Sequence, residues 1–287
     1  MTIKRYIIGL CIGALALFIG LRSLPDTHCA FLHADHQPVY SNGVEFCGLN
    51  EQANFYQPSA LLFPVKLQLA LKGNGGTLRL VKEDSQPYLD YEIAVSHTQK
   101  VHLHIRQVSG RSDYVHLHPM PAEDGTWSFV FPPEFLVGNP GGDLQAYVDF
   151  VPVRSGRVML AEGTAALSAQ SASTSPHPRR NQIISSSVST HKAGESAVIK
   201  VQLDNLAGSG LKLLPIMGAL GHAVLFAESK TLMGYAHMHP SLEGGEYDQH
   251  PTLTFKVRLP MAGRYDFWLN INDGQGDYLY LPIEVTP

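Results

Sequence analysis

Two stretches of this chain are variants of one pattern, and they constrain the fold more than anything else in it. Val101 to Pro119 reads VHLHIRQVSGRSDYVHLHP, and Gly221 to Pro240 reads GHAVLFAESKTLMGYAHMHP. His102 aligns with His222, His116 with His237, His118 with His239 and Pro119 with Pro240, given one extra residue in the second copy. Seven of the fourteen histidines fall in these windows. Side chains in a strand alternate faces, so each copy predicts a β-hairpin with apolar residues on one side and imidazoles on the other. Val101, Leu103 and Ile105 alternate with His102, His104 and Arg106. A three-residue turn over Ser109 to Arg111 pairs His104 with His116 and His102 with His118. In the second copy Val224 stands where His104 stood, leaving a cluster of His222, His237 and His239. Pro119 and Pro240 cannot donate to a ladder, so each is expected to end its strand at a sheet rim.

The rest of the chain reads as short strands between turns, with little helical periodicity, which points to β-sandwiches. Val65 to Leu71, Thr77 to Val81, Asp90 to Ser96, Trp127 to Phe131, Leu144 to Val153 and Arg157 to Leu167 supply strands around the first hairpin. Gly73 to Gly76 makes a hairpin turn there. No helix or Lys-Ser/Thr follows it, so it is not a phosphate loop. Ala197 to Leu203, Leu213 to Met217, Leu253 to Leu259, Gly263 to Ile271 and Asp277 to Val285 do the same around the second. WSFVF corresponds to LTFKVRL, and AYVDFVP to YDFWLNI. The economical account is a duplicated domain: all-β, two tandem Ig-like or cupredoxin-like sandwiches, over residues 60–168 and 183–287. A Ser/Thr/Pro-rich linker over 169–182 joins them. The alignment sets His97 opposite Met217, two reserve ligands.

The N-terminus is of another kind. Lys4 and Arg5 precede the uncharged run Tyr6 to Leu21, which marks 1–24 as a signal peptide or, since no small-x-small cleavage site follows, a signal anchor. The positive-inside rule then puts the body outside the cytoplasm, in the periplasm or at the cell surface, with residues 6–21 in the inner membrane. A polar segment, 25–59, holds Cys29 and Cys47. In an oxidising compartment these read as a disulfide, against a rival metal cluster with His28, His33 and His36. Expected partners are the membrane, through that helix, and an envelope protein. A net charge of −4 without a long basic run argues against nucleic acid.

Neutral imidazole is a ligand for zinc, copper and nickel. Two paired His-x-His-Pro ends therefore predict a metal site in each sandwich. The expected ligands are His102, His104, His116 and His118 in the first, and His222, His237 and His239 in the second. Each is expected to bind its own copper or zinc ion independently. A blue-copper centre is excluded, because no cysteine follows Cys47. HExxH, GxSxG and a Rossmann glycine pattern are absent. Two other readings remain open. The histidines could be the solvated face of a structural or protein-binding module, or a three-His site could serve a metal-dependent enzyme.

At these same residues the chain resembles a loose group of secreted bacterial β-sandwich proteins. Their pattern runs histidine, apolar strand, His-x-His-Pro, then a Gly-x-Tyr strand such as Gly263-Arg264-Tyr265. The resemblance covers Glu92 to Val153 and Leu213 to Val285. The first module departs from it at Gly142 to Tyr147, where Gly-x-Tyr is stretched. The resemblance implies an envelope protein that handles metal, with copper the first expectation.

Overall fold

The computed structural model describes residues 2–22, 39–41, 44–46, 64–107, 114–138, 141–156, 158–168, 180–227, 235–244 and 248–287. Helix α1 (Thr2–Arg22) comes first, followed by a small ladder of β1 (Val39–Ser41) and β2 (Val44–Phe46). Cys11 is a free, exposed thiol on α1. Cys29 and Cys47, with the disulfide expected of them, lie outside the described residues, as do His28, His33 and His36. Among the described residues no helix is long and apolar enough to cross a membrane. The uncharged run Tyr6 to Leu21 would rise about 24 Å, short of a hydrocarbon core of about 30 Å. The expected membrane anchor is therefore unsupported.

The first sandwich has a back sheet of β3 (Val65–Lys72), β4 (Gly75–Lys82), β8 (Met120–Pro121) and β9 (Trp127–Val130), in the order β3-β4-β9-β8. Its front sheet holds β6 (Val101–Gln107), β7 (Tyr114–Leu117), β10 (Gly142–Pro152) and β11 (Met159–Leu167), in the order β11-β10-β6-β7. β5 (Ile93–Ala94) pairs with the end of β10. The second sandwich repeats this plan. β12 (Asn181–Val188), β13 (Ser196–Asn205), β16 (Ser241–Glu243) and β17 (Thr252–Arg258) form the back sheet, ordered β12-β13-β17-β16. β14 (His222–Ala227), β15 (Tyr235–Met238), β18 (Gly263–Ile271) and β19 (Asp277–Val285) form the front, ordered β15-β14-β18-β19. All these ladders are antiparallel, as expected for tandem Ig-like sandwiches.

Each core is filled by the inward half of an alternating strand. Val101, Leu103 and Ile105 of β6 pack in the first core with Leu80, Trp127, Val148 and Phe150. Ala223, Leu225 and Ala227 of β14 do the same in the second with Ile199, Phe255 and Phe267. Neither Pro119 nor Pro240 is in a strand: β7 and β15 stop before His-Pro, and the chain crosses to the back sheet as β8 and β16. A residue with no N–H to give, one step past the last ladder bond, suits that crossing.

Local departures from the expected elements have local causes. Asp90 to Ser96 does not form one strand. Asp90–Glu92 is a 3₁₀ turn, because the Glu92 carboxylate accepts the Leu89 N–H at 2.8 Å and pairs with Lys82 at 2.9 Å. Pro132-Pro133 opens a short helix, α2 (Pro133–Gly138), with Pro133 at the first helical position, where no N–H is needed. The Gly142 region is not stretched. Asp149 pairs with His102 and Asn270 with His222, so Gly142 and Gly263 occupy one position at the start of equivalent strands. Their φ values, +120° and +137°, need glycine in both copies; the tyrosine of Gly-x-Tyr is replaced by Leu144.

The two front sheets face each other. Tyr114, Tyr147 and Leu160 of the first module pack with Val224, Phe226, Tyr235 and Trp268 of the second in a third buried cluster. Arg106 crosses the interface, donating to the Ala227 carbonyl at 2.9 Å, with its guanidinium carbon 4.8 Å from the Phe226 ring centre. Equivalent contacts recur about an approximate two-fold axis. The His102–His237 rings lie 5.4 Å apart and His116–His222 5.8 Å; Tyr147–Tyr235 lie 4.8 Å apart and Tyr114–Trp268 6.1 Å.

Candidate metal centre

The outward half of the same strands builds the site. In β6 and β7, His104 pairs with His116, the register that the turn length predicts. In β14 and β15, Val224 pairs with His237. His222 starts β14 and His102 is second in β6, and His118 and His239 follow the ends of β7 and β15, so each module gathers three imidazoles at one sheet end. One nitrogen each from His102, His116 and His118 lies within 4.8 Å of the others, and so with His222, His237 and His239. These groups are not apart. Two further sets at the same spacing involve both modules: His104, His116 and His237, and His102, Asp149 and His237. The expected one site per sandwich becomes two adjoining groups across one interface. The histidines are not a solvated face either: His102 and His104 are 0% exposed and His222 1%.

Hydrogen bonds fix several tautomers. His102 Nε2 lies 3.0 Å from the Ser96 carbonyl, and His222 Nε2 lies 3.0 Å from the Ile216 carbonyl. A carbonyl only accepts, so both Nε2 atoms carry the proton and both Nδ1 atoms carry a lone pair. Asp149 Oδ2 accepts from the Tyr235 hydroxyl at 2.8 Å, His104 Nε2 at 3.1 Å and His237 Nδ1 at 3.2 Å. His104 Nδ1 therefore accepts from the Tyr114 hydroxyl at 2.8 Å, and both its nitrogens are engaged. His237, protonated at Nδ1, turns Nε2 towards His222 Nδ1 at 3.0 Å; His239 Nε2 reaches the same atom at 3.0 Å. In the first module His102 Nδ1 meets His116 Nε2 at 3.1 Å. Among the described residues His116 Nδ1 and His118 Nε2 are buried without a hydrogen-bond partner.

The electrostatics oppose charge on most of these rings. Burial pushes His104 down to about 3 and His118 to about 4. Burial, with repulsion from neighbouring imidazoles, holds His116, His222 and His239 well below the ordinary imidazole value. Burial alone would raise the Asp149 carboxyl. Attraction to His237 and the bonds from His104 and His237 hold it well below the usual carboxylate range instead. The site is thus a desolvated, nitrogen-rich cluster around one buried carboxylate.

Asp149, Tyr114 and Tyr235 are the residues that sequence reasoning missed. A signal for Asp149 was present, as the one charge inside the apolar run Leu144 to Val153. Its parity puts it on the face opposite Val148 and Phe150. Tyr114 and Tyr235 are twins two residues before His116 and His237, on the same face. His97 stands at the mouth, exposed, with its ring 4.2 Å from that of His239.

Fold and site together define a class: a tandem Ig-like β protein with a shared imidazole pocket between its front sheets. The sequence model of a domain of unknown function, DUF8832, matches residues 181–286, the second sandwich. No curated protein matches the chain. A tetra-tandem repeat from the extending region of a large adhesion protein is 12% identical, over 76% of this chain and 47% of that one, at a TM-score of 0.25. The Escherichia coli adhesin FdeC is 11% identical, over 88% of this chain and 73% of that one, at 0.22. A bacterial ice-binding adhesin is 12% identical, over 78% and 65%, at 0.23. The chain spans less than half the length of the first of these, and likeness at this level says nothing of what this chain does.

Proposed function

We propose that this is an extracytoplasmic metal-binding protein, holding copper, or else zinc, between its two sandwiches for binding, buffering or delivery. The observation that carries the reading is the facing pair His222 Nδ1 and His237 Nε2. Their other nitrogens give protons to the Ile216 carbonyl and to Asp149, so with both rings neutral two lone pairs point at each other across 3.0 Å. That is repulsive unless a metal ion or a proton lies between or beside them. Nitrogens around a tetrahedral ion at about 2.05 Å stand about 3.3 Å apart, close to this spacing. The donors offered are His222, His237 and His239, and His102, His116 and His118. His104 holds Asp149 in place. All-nitrogen donors without thiolate suit copper, which imidazole sites bind most tightly of the common divalent ions, and then zinc. Export by the basic-then-apolar N-terminus supports the location.

A second reading has its own observation. The chain Tyr114–His104–Asp149–Tyr235 is satisfied without any ion and ties one module to the other. On that reading a proton occupies the gap between His222 and His237, and the pocket is cement for a structural or protein-binding module. Metal analysis of untagged protein after dialysis against buffered copper or zinc separates the two. One or more tightly held equivalents, lost on chelation, is the expected result. Protein that leaves dialysis metal-free, with unmoved imidazole resonances, overturns it.

A further inference from the structure

The two three-histidine groups are related by the approximate two-fold, yet one residue breaks their equivalence at the position that overlooks them. Each module carries a two-residue turn ahead of its first histidine strand. In the first, Ser96 and Gln99 bridge around His97 and Thr98; in the second, Ile216 and Ala219 bridge around Met217 and Gly218. The φ values are +50° and +69° in one turn, +49° and +80° in the other. A turn with both central residues at positive φ favours Asn and Gly. His97, Thr98 and Met217 hold that conformation against the steric preference of their side chains, which points to a role for what they project. The same turns supply the Ser96 and Ile216 carbonyls that fix His102 and His222, so each turn is tied to its own module's site.

The central side chain of the first turn reaches past its own module. His97 belongs to the first module, but its ring is 4.2 Å from His239 and 6.4 Å from both His222 and His237. It stands 6.2 Å from His102 of its own module, and its closest ring is His239 of the second. The two-fold that carries His102–His237 onto His222–His116 also carries His97 onto Met217 and His239 onto His118. By that symmetry Met217 of the second module corresponds to a position over the first module's group. His118 Nε2 and His116 Nδ1 are the buried nitrogens left there without a hydrogen-bond partner among the described residues.

We propose that each turn lends a fourth donor across the interface, so that the two sites take different ions; this rests on the metal-binding reading above. His97 joins His222, His237 and His239 in a four-imidazole site for a borderline divalent ion, Zn(II) or Cu(II). Met217 joins His102, His116 and His118 in a site of three imidazoles and a thioether, which suits the softer Cu(I). The chain thus holds a soft and a borderline site side by side, with each completed by the other module.

The test uses the full-length protein, titrated anaerobically with Cu(I) and separately with Zn(II) against chelators of known affinity, with sulfur scattering read at the copper absorption edge. Wild-type protein should show one sulfur neighbour on Cu(I). Met217→Leu should lose it and weaken Cu(I) by at least about tenfold, leaving Zn(II) unchanged. His97→Ala should weaken Zn(II) and spare Cu(I). Met217→Gly and His97→Gly guard against misfolding, since glycine accepts the positive φ. They should be at least as stable as the parent and still lose the same affinities. Wild-type copper without a sulfur neighbour, or variants that titrate like the parent, overturns the fourth-donor proposal and leaves the metal-binding reading standing. Wild-type protein that binds neither ion overturns both.

Discussion

His222 Nδ1 and His237 Nε2 face each other at 3.0 Å, and each ring has already committed its proton to an oxygen on its far side. One of those oxygens belongs to Asp149, in the other module. The second module's site is therefore oriented by a carboxylate it does not own. A carboxylate behind a ligating histidine fixes its tautomer and raises its basicity.

Asp149→Asn should weaken metal at His222, His237 and His239 by about 10- to 100-fold, since the amide no longer demands a proton from His237 Nδ1. Competition titration of the variant checks this. An unchanged affinity would remove Asp149 from the site.

Removing ligands in one module should be felt in the other. His237 belongs to three of the four close donor sets, two of which involve both modules. The double variant His237→Ala/His239→Ala should lose its own ion and also bind the remaining one more weakly. His116→Ala/His118→Ala should have a milder effect on the second site. Isothermal titration of both double variants measures the coupling; fully independent ions would show that the close packing of the groups has no energetic consequence.

Metal-free protein should be acid-sensitive over a defined window. His104 is depressed to about 3 and His118 to about 4, against about 6.5 in the unfolded chain. The unfolded state then binds more protons between those values, so stability rises with pH there. It should be complete above about pH 6.5, erode as pH falls towards 4, and keep falling towards 3 as His104 charges, each unit of depression weighing about 1.4 kcal/mol. Denaturant midpoints measured from pH 3 to 8 should follow this slope; a flat profile would mean that the imidazoles are solvated.

Phe226 is fully buried where the two front sheets meet, beside Tyr147, Tyr235 and the Arg106 guanidinium. Phe226→Ala should cost about 3–5 kcal/mol. It should also make the modules unfold in separate steps, because it removes packing between them and not within either core. Calorimetry reads both effects. A single transition shifted by less than 1 kcal/mol would show that the modules do not depend on that contact.

Much of this architecture was written in local pattern. Alternation along VHLHIRQ and GHAVLFA decided which residues enter each core. The length between His104 and His116 decided their pairing. Pro119 and Pro240 decided where the chain leaves the front sheet. These follow from a strand period of two and from a missing N–H, which any short window contains. The sequence by itself therefore determined two sandwiches and a histidine face on each. It could not say what covers that face, because alternation records that a side exists and not what lies against it. Only the tertiary structure turned the faces together, buried the imidazoles, and brought Asp149 within reach of a histidine 88 residues away. The physical reason is that the partner of each outward face is another outward face. That match depends on the summed shape of Tyr114, Tyr147, Phe226, Tyr235 and Trp268, which no single window holds.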